Sequence, residues 1–180
     1  MDYFLSEDQK SIQKLARRIA EEKVVPVRAE LDETGQFPWE IMKHCAETGL
    51  FGVSIPEEYG GAGFDYVSLA LACEELEYVD TFLRVIMSVH VGLNSLALLQ
   101  WATEEQKQRW LKPQATGEKI ATFALTEPNA GSDAGAIEST VVKDGDSYIL
   151  NGAKMWISFA DVADHFLVFA SLDRSLKHKG

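Results

Sequence analysis

The pattern of apolar and polar positions changes about two thirds of the way along the chain. In the first part apolar residues recur every three to four positions, as Ile12, Leu15, Ala16 and Ile19 do. This is the spacing of one helix face. Ser6-Glu7-Asp8-Gln9 comes just before these residues and has the form of a capping box, in which a hydroxyl and an amide cap the first helical turn. The first part is therefore predicted to be helical.

Breaking and capping residues divide this helical part. Pro26 should end or kink the first helix near Val25, because proline has no amide hydrogen to donate. The further helices predicted are one between Pro38 and Gly49, one capped by Asp65 that runs to about Tyr78, an apolar one from about Phe82 to Gln100, and one that opens at the capping box Thr103-Glu104-Glu105-Gln106 and stops before Pro113.

After Gly117 the apolar period becomes two, which is typical of strands. The predicted strands, about five in number, are Ile120–Leu125, Ile137–Lys143, Tyr148–Leu150, Ala153–Ile157 and His165–Ser171, with turns at Asp144-Gly145 and Asn151-Gly152. We predict an α+β chain in which an all-α domain over residues 1–117 precedes an antiparallel β-sheet or barrel domain over 118–180. That sheet needs further strands to cover its edges, so we expect either a fragment or a partner that completes it.

Charge and the N-terminus narrow the class of protein. The chain has 28 acidic and 17 basic residues and a net charge of −11, which argues against a nucleic-acid-binding protein because phosphates need a basic face. The sequence shows no signal peptide and no membrane-length apolar run, so a cytoplasmic protein without a membrane span is the default expectation. Neither cysteine has metal-ligand spacing, and no metal site is predicted.

Two segments of the β part have the composition of a cofactor site. In Phe123–Asp133, Gly131 allows close backbone approach, and Thr126 and Ser132 supply hydroxyls. Consecutive amides there can form an anion nest. Because Glu127 is acidic, we expect a phosphate to be met by dipoles rather than by a lysine. The alternative is an ordinary turn between strands.

The second segment is Asn151–Ser158. Trp156 next to Ser158 at a strand end can stack on a planar ring and hydrogen-bond to its edge. A core tryptophan beside a capping serine is the alternative interpretation. Neither segment is specific by itself.

Together the two segments resemble the acyl-CoA dehydrogenase family. Its members carry an aromatic-Ala-x-Thr-Glu-Pro-x-Ala-Gly-Ser-Asp loop followed by Leu-Asn-Gly-x-Lys-x-Trp-Ile-Ser/Thr, and Leu150–Ser158 matches the second pattern. Ile55–Gly63 is similar to a third family stretch. The resemblance implies a helical domain, a β domain and a C-terminal four-helix bundle, with FAD between the last two. The residues that it assigns to FAD are Phe123, Leu125, Thr126, Gly131, Ser132, Trp156, Ile157 and Ser158, with Ser132 also near the CoA substrate.

The resemblance also implies a reaction and partners. Family members remove hydrogens from the α and β carbons of an acyl-CoA thioester and pass electrons to electron-transfer flavoprotein, usually as homo-oligomers. The base is a glutamate of the C-terminal bundle, and no residue here matches its motif. The catalytic residue is therefore unknown, and these residues alone are predicted to be inactive. The alternatives are an acyl-CoA oxidase or flavin monooxygenase of the same fold, or a non-catalytic acyl-CoA-binding module.

Substrate choice is predicted from the apolar helix. Arg84 and Ser88 are four residues apart and share a helix face, and an arginine can bind a carboxylate bidentately. Glutaryl-CoA dehydrogenases are similar here, with Arg and Ser at this spacing before Val, so we expect Arg84, Val85, Ser88 and Ser132 to contact a short-chain or glutaryl-type substrate. The alternative is an ordinary ion pair of Arg84 with Glu77 or Asp80. One departure from the family is Phe159, where asparagine is usual.

Overall fold

The structure, a computed structural model, describes residues 4–180 except the side chain of His178. Residues 1–3 of the predicted helical domain lie outside it. The α-helices are α1 (Glu7–Ile19), α2 (Arg28–Thr34), α3 (Trp39–Glu47), α4 (Tyr66–Glu77), α5 (Thr81–Ile86), α6 (Leu96–Trp101), α7 (Glu104–Gln106) and α8 (Lys112–Ala115). Wider π-helical turns continue three of them: Ala20–Val24 after α1, Met87–Ser95 between α5 and α6, and Lys107–Leu111 between α7 and α8.

The predicted capping signals are confirmed. Ser6 accepts from the amide of Gln9 while the Gln9 side chain accepts from the amide of Ser6, which completes the capping box. Thr103 and Gln106 form the second box in the same way. Asp65 caps α4 by accepting from the amide of Ser68. These signals are readable in the sequence because each involves residues at most three positions apart.

The prediction that a helix stops before Pro113 is wrong. The chain continues through Pro113 in helical conformation to Ala115. A proline ring normally clashes with the carbonyl four residues earlier. Here the π-helical turn Lys107–Leu111 comes just before it, and such a widened turn moves that carbonyl and accommodates the ring.

Thr81–Trp101 is one continuous apolar helix, as predicted. Within the described residues it is the one helix long and apolar enough to cross a membrane, with 21 residues and a mean hydropathy of 1.6. The expectation of no membrane-length apolar run is therefore wrong by length and composition. Its buried polar side chains are bonded inside the protein: Asn94 Nδ2 donates to the Thr122 carbonyl over 2.7 Å, and Ser95 Oγ bonds to Gln114 over 3.0 Å. These bonds are typical of a core helix.

The β part contains β1 (Ala121–Ala124), β2 (Thr140–Asp144), β3 (Ser147–Asn151) and β4 (His165–Val168). β2 and β3 form the predicted antiparallel hairpin. β1 instead pairs with β4 in parallel, so the expectation of a purely antiparallel sheet is wrong for this pair. Within the described residues the strands form two two-stranded sheets, and no closed barrel is seen.

The predicted strand Ala153–Ile157 and the hairpin turn at Asn151-Gly152 are also wrong. The chain leaves β3 at Asn151 and forms no strand over 153–157. A Cβ on Gly152 would overlap the side chain of Ser139, so this glycine permits close packing between segments. The amide of Met155 bonds to a distant loop instead of to a strand partner.

A buried polar network joins the helical part to β1. The amide of Ala121 donates to His90 Nδ1 over 3.0 Å, and His90 Nε2 lies 3.0 Å from the Gln114 carbonyl. The Gln114 side chain bonds in turn to His165 Nδ1 over 3.1 Å. Both histidines thus bond to groups inside the protein. Because His90 bonds to both β1 and Gln114, and Gln114 bonds in turn to β4, the network holds β1 against the long helix and fixes the direction in which β1 leads into the loop that follows it.

Candidate functional site

The loop after β1 turns back on itself. The amide of Glu127 donates to the Ala130 carbonyl over 3.0 Å, and the amide of Ala130 donates back over 3.2 Å. Phe123, on β1, packs its ring 5.0 Å from that of Phe169. Leu125 and Thr126 are half-buried, whereas Gly131 and Ser132 are exposed at the far side of the turn. The loop is therefore anchored at its base and open at its tip.

Glu127 is the buried anchor of this loop. Its carboxylate accepts from the amide of Ser139 over 3.0 Å, from the amide of Glu138, and from Lys154 Nζ over 2.6 Å. Burial by itself would raise the pKa of Glu127, but the bonds from Lys154, Ser139 and Glu138 outweigh it and hold the pKa at about 2. The carboxylate is thus ionised and fully paired, which is the condition for a buried charge to be tolerated.

The two segments singled out by sequence lie side by side. The amide of Met155 donates to the Thr126 carbonyl over 3.0 Å, and Lys154 Nζ donates to the Leu125 carbonyl over 2.9 Å. Three consecutive loop residues, Leu125 to Glu127, thereby contact two consecutive residues of the second segment. The bonded residue Met155 directly precedes Trp156, so the backbones at Thr126 and Trp156 are close together.

The second segment then adopts strained backbone. Trp156 and Phe159 have φ of +58° and +44°, a region that costs a non-glycine residue about 1–2 kcal/mol. The Trp156 ring is 84% exposed, whereas Phe159 is buried in the core of the helical domain. Between them, half-buried Ile157 leads to Ser158, whose carbonyl accepts from Thr122 Oγ1 over 2.8 Å. Burial of Phe159 holds the turn that presents Trp156.

The surroundings of Phe159 explain in part why this position departs from the family pattern. Asparagine tolerates the left-handed region better than other non-glycine residues, and that suits the family's usual residue at this position. Here Phe159 instead lines a pocket of about 350 Å³ together with Phe37 and Phe82. Its side chain is therefore packed against the helical domain.

The face formed by the two segments fits a planar ring with an anionic tail. The Trp156 ring is free to stack, Ser158 lies two residues further on, and a side chain placed on Gly131 would meet no atom within 4 Å. The space over Gly131 is thus open for a group that approaches the backbone closely. The residues present are those that a flavin dinucleotide needs.

A second candidate cluster lies on the Thr81–Trp101 helix. Arg84 Nε donates to Glu77 Oε2 over 2.6 Å, and Arg84 Nη1 donates to Ser88 Oγ over 3.4 Å. Val85 packs against the hydrophobic core, and its carbonyl accepts from Ser88 Oγ. The structure brings Arg84 and Ser88 together as predicted, and it also shows the expected alternative, the ion pair with Glu77. The bond from Arg84 lowers the pKa of Glu77.

Comparison with known proteins agrees with this geometry. Residues 6–118 match the family described as acyl-CoA dehydrogenase, N-terminal domain, and residues 122–180 match acyl-CoA dehydrogenase, middle domain. The chain belongs to the acyl-CoA dehydrogenase family. Membership of this family indicates FAD as the cofactor, as the sequence resemblance implied.

Individual acyl-CoA dehydrogenases resemble the chain over its whole length. The short-chain specific acyl-CoA dehydrogenase of Clostridium acetobutylicum is 44% identical over 180 residues, which are 100% of this chain and 48% of that protein. The solved butyryl-CoA dehydrogenase of Megasphaera elsdenii is 36% identical with a TM-score of 0.96, covering 100% of this chain and 48% of that one. The chain thus spans about half the length of these relatives.

Two further solved structures bear on substrate and partner. A glutaryl-coenzyme A dehydrogenase–glutaryl-CoA complex is 36% identical with a TM-score of 0.94, over 100% of this chain and 46% of that one. A structure described as the electron transferring flavoprotein of Acidaminococcus fermentans contains a chain that is 41% identical, with a TM-score of 0.95, over 98% of this chain and 47% of that one.

Sequence reasoning missed two members of the site, Glu127 as an anchor and Lys154 as its partner. Lys154 lies beneath the loop that follows β1. Its ammonium group donates to the Leu125 carbonyl and the Glu127 carboxylate. The signal available was Lys154 itself, an isolated basic residue within the Asn-Gly-x-Lys-x-Trp pattern. Among the described residues no group of three or more His, Cys, Asp or Glu side chains could hold a metal ion.

Proposed function

We propose that the protein containing this chain is an FAD-dependent acyl-CoA dehydrogenase, to which the chain contributes the helical domain and one wall of the flavin site. The observation that carries the proposal is the bond between the Met155 amide and the Thr126 carbonyl. It joins the two segments that match the family's flavin motifs into a single face, with the exposed Trp156 ring and the open Gly131 backbone on it.

Each residue of this face has a proposed role. The Trp156 ring stacks against the isoalloxazine, and Ile157 and Ser158 contact its edge. Phe123, Leu125 and Thr126 line the ring from the other segment, while the Gly131 and Ser132 amides bind the pyrophosphate as dipoles. Bound FAD supplies the redox chemistry, acceptance of the hydride that leaves Cβ of the thioester. Ser132 also lies near the CoA moiety in this proposal.

The α proton needs a base, which we propose comes from a region corresponding to the half of the relatives that lies beyond the matched residues. A positioned base contributes about 10²–10⁴-fold in rate, so residues 1–180 alone are expected to be inactive. We propose electron-transfer flavoprotein as the acceptor and a homo-oligomer as the assembly. Both proposals rest on family membership and on the neighbour described as an electron transferring flavoprotein.

The substrate is proposed to be a short-chain or glutaryl-type acyl-CoA. Arg84 supports the glutaryl type because its guanidinium already holds a carboxylate, that of Glu77, at a partly exposed position. Ser88, within 3.4 Å of the same guanidinium, adds a hydroxyl that a second carboxylate can share. The relative described as short-chain specific supports the shorter acyl chain.

Anaerobic titration of the full-length protein tests the proposal. Purified protein should carry FAD, and butyryl-CoA or glutaryl-CoA should bleach the flavin absorbance. Electron-transfer flavoprotein should then restore the absorbance faster than oxygen does. Rapid reoxidation by oxygen alone would show an oxidase or a monooxygenase. Colourless protein that cannot be reconstituted with FAD would leave only an acyl-CoA-binding module.

A further inference from the structure

The ion pair between Lys154 and Glu127 lies directly beneath the two flavin segments. Lys154 Nζ is 2.6 Å from Glu127 Oε1 and 2.9 Å from the Leu125 carbonyl. The side chains are 13% and 2% exposed. The other ion pairs within residues 4–180 have at least one side chain more than a third exposed, so this pair is shielded from solvent to an unusual degree.

The bonds of this pair reach three separate stretches of the chain. Glu127 belongs to the first flavin segment and Lys154 to the second. The backbone amides of Glu138 and Ser139, just before β2, also donate to the Glu127 carboxylate. The charged groups thus connect the first segment, the second segment and the hairpin at one point. Charge-assisted bonds of this kind are short and strongly directional.

The location of the pair determines what it can control. Lys154 is two residues before Trp156, and Glu127 is one residue after Thr126. Any change in the Lys154 bond therefore moves the Trp156 ring relative to the backbone that faces the cofactor. Apolar side chains in place of Lys154 and Glu127 could fill the same space. They would not hold the two flavin segments at one fixed distance.

We propose that Lys154 is a positioning residue of the flavin site, which sets the distance between the Leu125–Thr126 wall and the Trp156–Ser158 wall. The proposal rests on the proposed function, since it assumes that FAD binds between these walls. Lys154 does not touch the flavin in this arrangement; it acts through Leu125 and Glu127. Lys154 also neutralises the one carboxylate buried below the loop that would face the pyrophosphate.

The test separates positioning from simple stability. Full-length apoprotein is titrated with FAD, and its melting temperature and bound-flavin absorption spectrum are recorded. Lys154→Met leaves Glu127 buried without its partner, so it lowers the melting temperature of the apoprotein. Lys154→Met/Glu127→Gln removes both charges and should regain most of that loss. We expect both variants to bind FAD at least about 10-fold more weakly than wild type, a loss of about 1.4 kcal/mol, because the two walls are no longer held at one separation, and to shift the bound-flavin spectrum.

Lys154→Arg should restore most of the affinity, since a guanidinium can bridge the same two oxygens. Lys143→Met, an exposed lysine on β2, should match wild type in every readout. Recovery of both stability and FAD affinity in the double variant would overturn the proposal, as would wild-type affinity in Lys154→Met. Wild-type protein that does not bind FAD at all would instead refute the proposed function.

Discussion

Arg84 Nε, in α5, donates to Oε2 of Glu77, the last residue of α4, over 2.6 Å. Both side chains are partly exposed, at 34% and 44%. An exposed pair of this kind contributes little to stability, so its guanidinium can exchange partners at low cost. If the substrate is of the proposed glutaryl type, we expect its second carboxylate to compete with Glu77 for Arg84.

Substitution of Arg84 should change substrate preference. Arg84→Ala in the full-length protein is expected to lower kcat/KM for glutaryl-CoA by about 10–100-fold, because hydrogen bonds to a charged group contribute about 1.5–3 kcal/mol. The value for butyryl-CoA should stay close to that of wild type. Steady-state kinetics with both thioesters measures this ratio.

Glu77→Gln is the matched control for Arg84. It removes the competing carboxylate but leaves the arginine, so glutaryl-CoA should bind more tightly and KM should fall. If both variants leave the glutaryl-to-butyryl ratio unchanged, Arg84 belongs only to the ion pair and the substrate is an unsubstituted short chain.

Removal of the Trp156 ring should weaken FAD binding without loss of stability. The side chain is 84% exposed, so Trp156→Ala should change the free energy of unfolding of the apoprotein by less than about 0.5 kcal/mol. Stacking contributes about 0.5–1.5 kcal/mol, which corresponds to a roughly 2–10-fold rise in the dissociation constant for FAD. Fluorescence titration measures the affinity, and thermal melting measures the stability.

Trp101 is the control for that experiment. It is 79% exposed at the end of the long helix, and Trp101→Ala should leave FAD affinity unchanged. If the two substitutions change FAD affinity equally, Trp156 does not contact the flavin.

Acid should destabilise the junction between the helical and β parts. Burial lowers the pKa of His90 from 6.5 to about 4, so between these values the unfolded chain binds a proton that the folded chain does not. Stability is therefore complete above pH 6.5 and is lost as pH falls toward 4. Between pH 7 and 5 the loss is about 2 kcal/mol. Urea unfolding of the apoprotein across this range measures it.

His90→Gln should remove most of this pH dependence, although its stability at pH 7 will also fall. Burial lowers the pKa of His165 as well, so a smaller slope of the same sign should remain. Cys45→Ala, a substitution in the same core, should reduce stability but keep the wild-type slope. If the stability of His90→Gln depends on pH as strongly as that of wild type, the pH dependence does not come from His90.

Two glycines should respond to alanine in opposite directions. A Cβ on Gly61 would overlap the carbonyl of Ile55, so Gly61→Ala should destabilise the protein by about 1–3 kcal/mol. A Cβ on Gly92, in the long helix, would meet no atom within 4 Å. Gly92→Ala should therefore stabilise by about 0.5–1 kcal/mol. Chemical denaturation gives both values. Stabilisation by Gly61→Ala would refute the packing at Ile55, and destabilisation by Gly92→Ala would refute the open space at Gly92.

The parts of the fold predicted correctly depend on local sequence. The caps at Ser6, Asp65 and Thr103 involve partners three residues away, and the hairpin of β2 and β3 has a two-residue turn at Gly145. The errors involve distant partners. Asn151-Gly152 has the form of a hairpin turn, but Gly152 packs on Ser139, a contact that only tertiary structure creates.

The candidate site follows the same division. The motif segments around Thr126 and Trp156 could be selected from sequence, and so could the spacing of Arg84 and Ser88. The bonds that organise them could not: Glu127 and Lys154 are 27 residues apart, and no periodic pattern links them. Arg84 was predicted with Glu77 as one alternative partner, which the structure contains. The strain at Phe159 depends on burial in another domain and has no local signal.

The parallel pairing of β1 with β4 has a consequence for the order of folding. Ala121 pairs with His165, so about 40 residues of chain must be released from the ribosome and looped back before the first bond of that pair can form. A non-local contact of this kind carries a loop-closure penalty, and the helical domain has one of its own, between α1 and α4. Because Phe159 and β4 come later in the chain than α1 to α8, they can pack on the helical domain only after all of those helices have been synthesised.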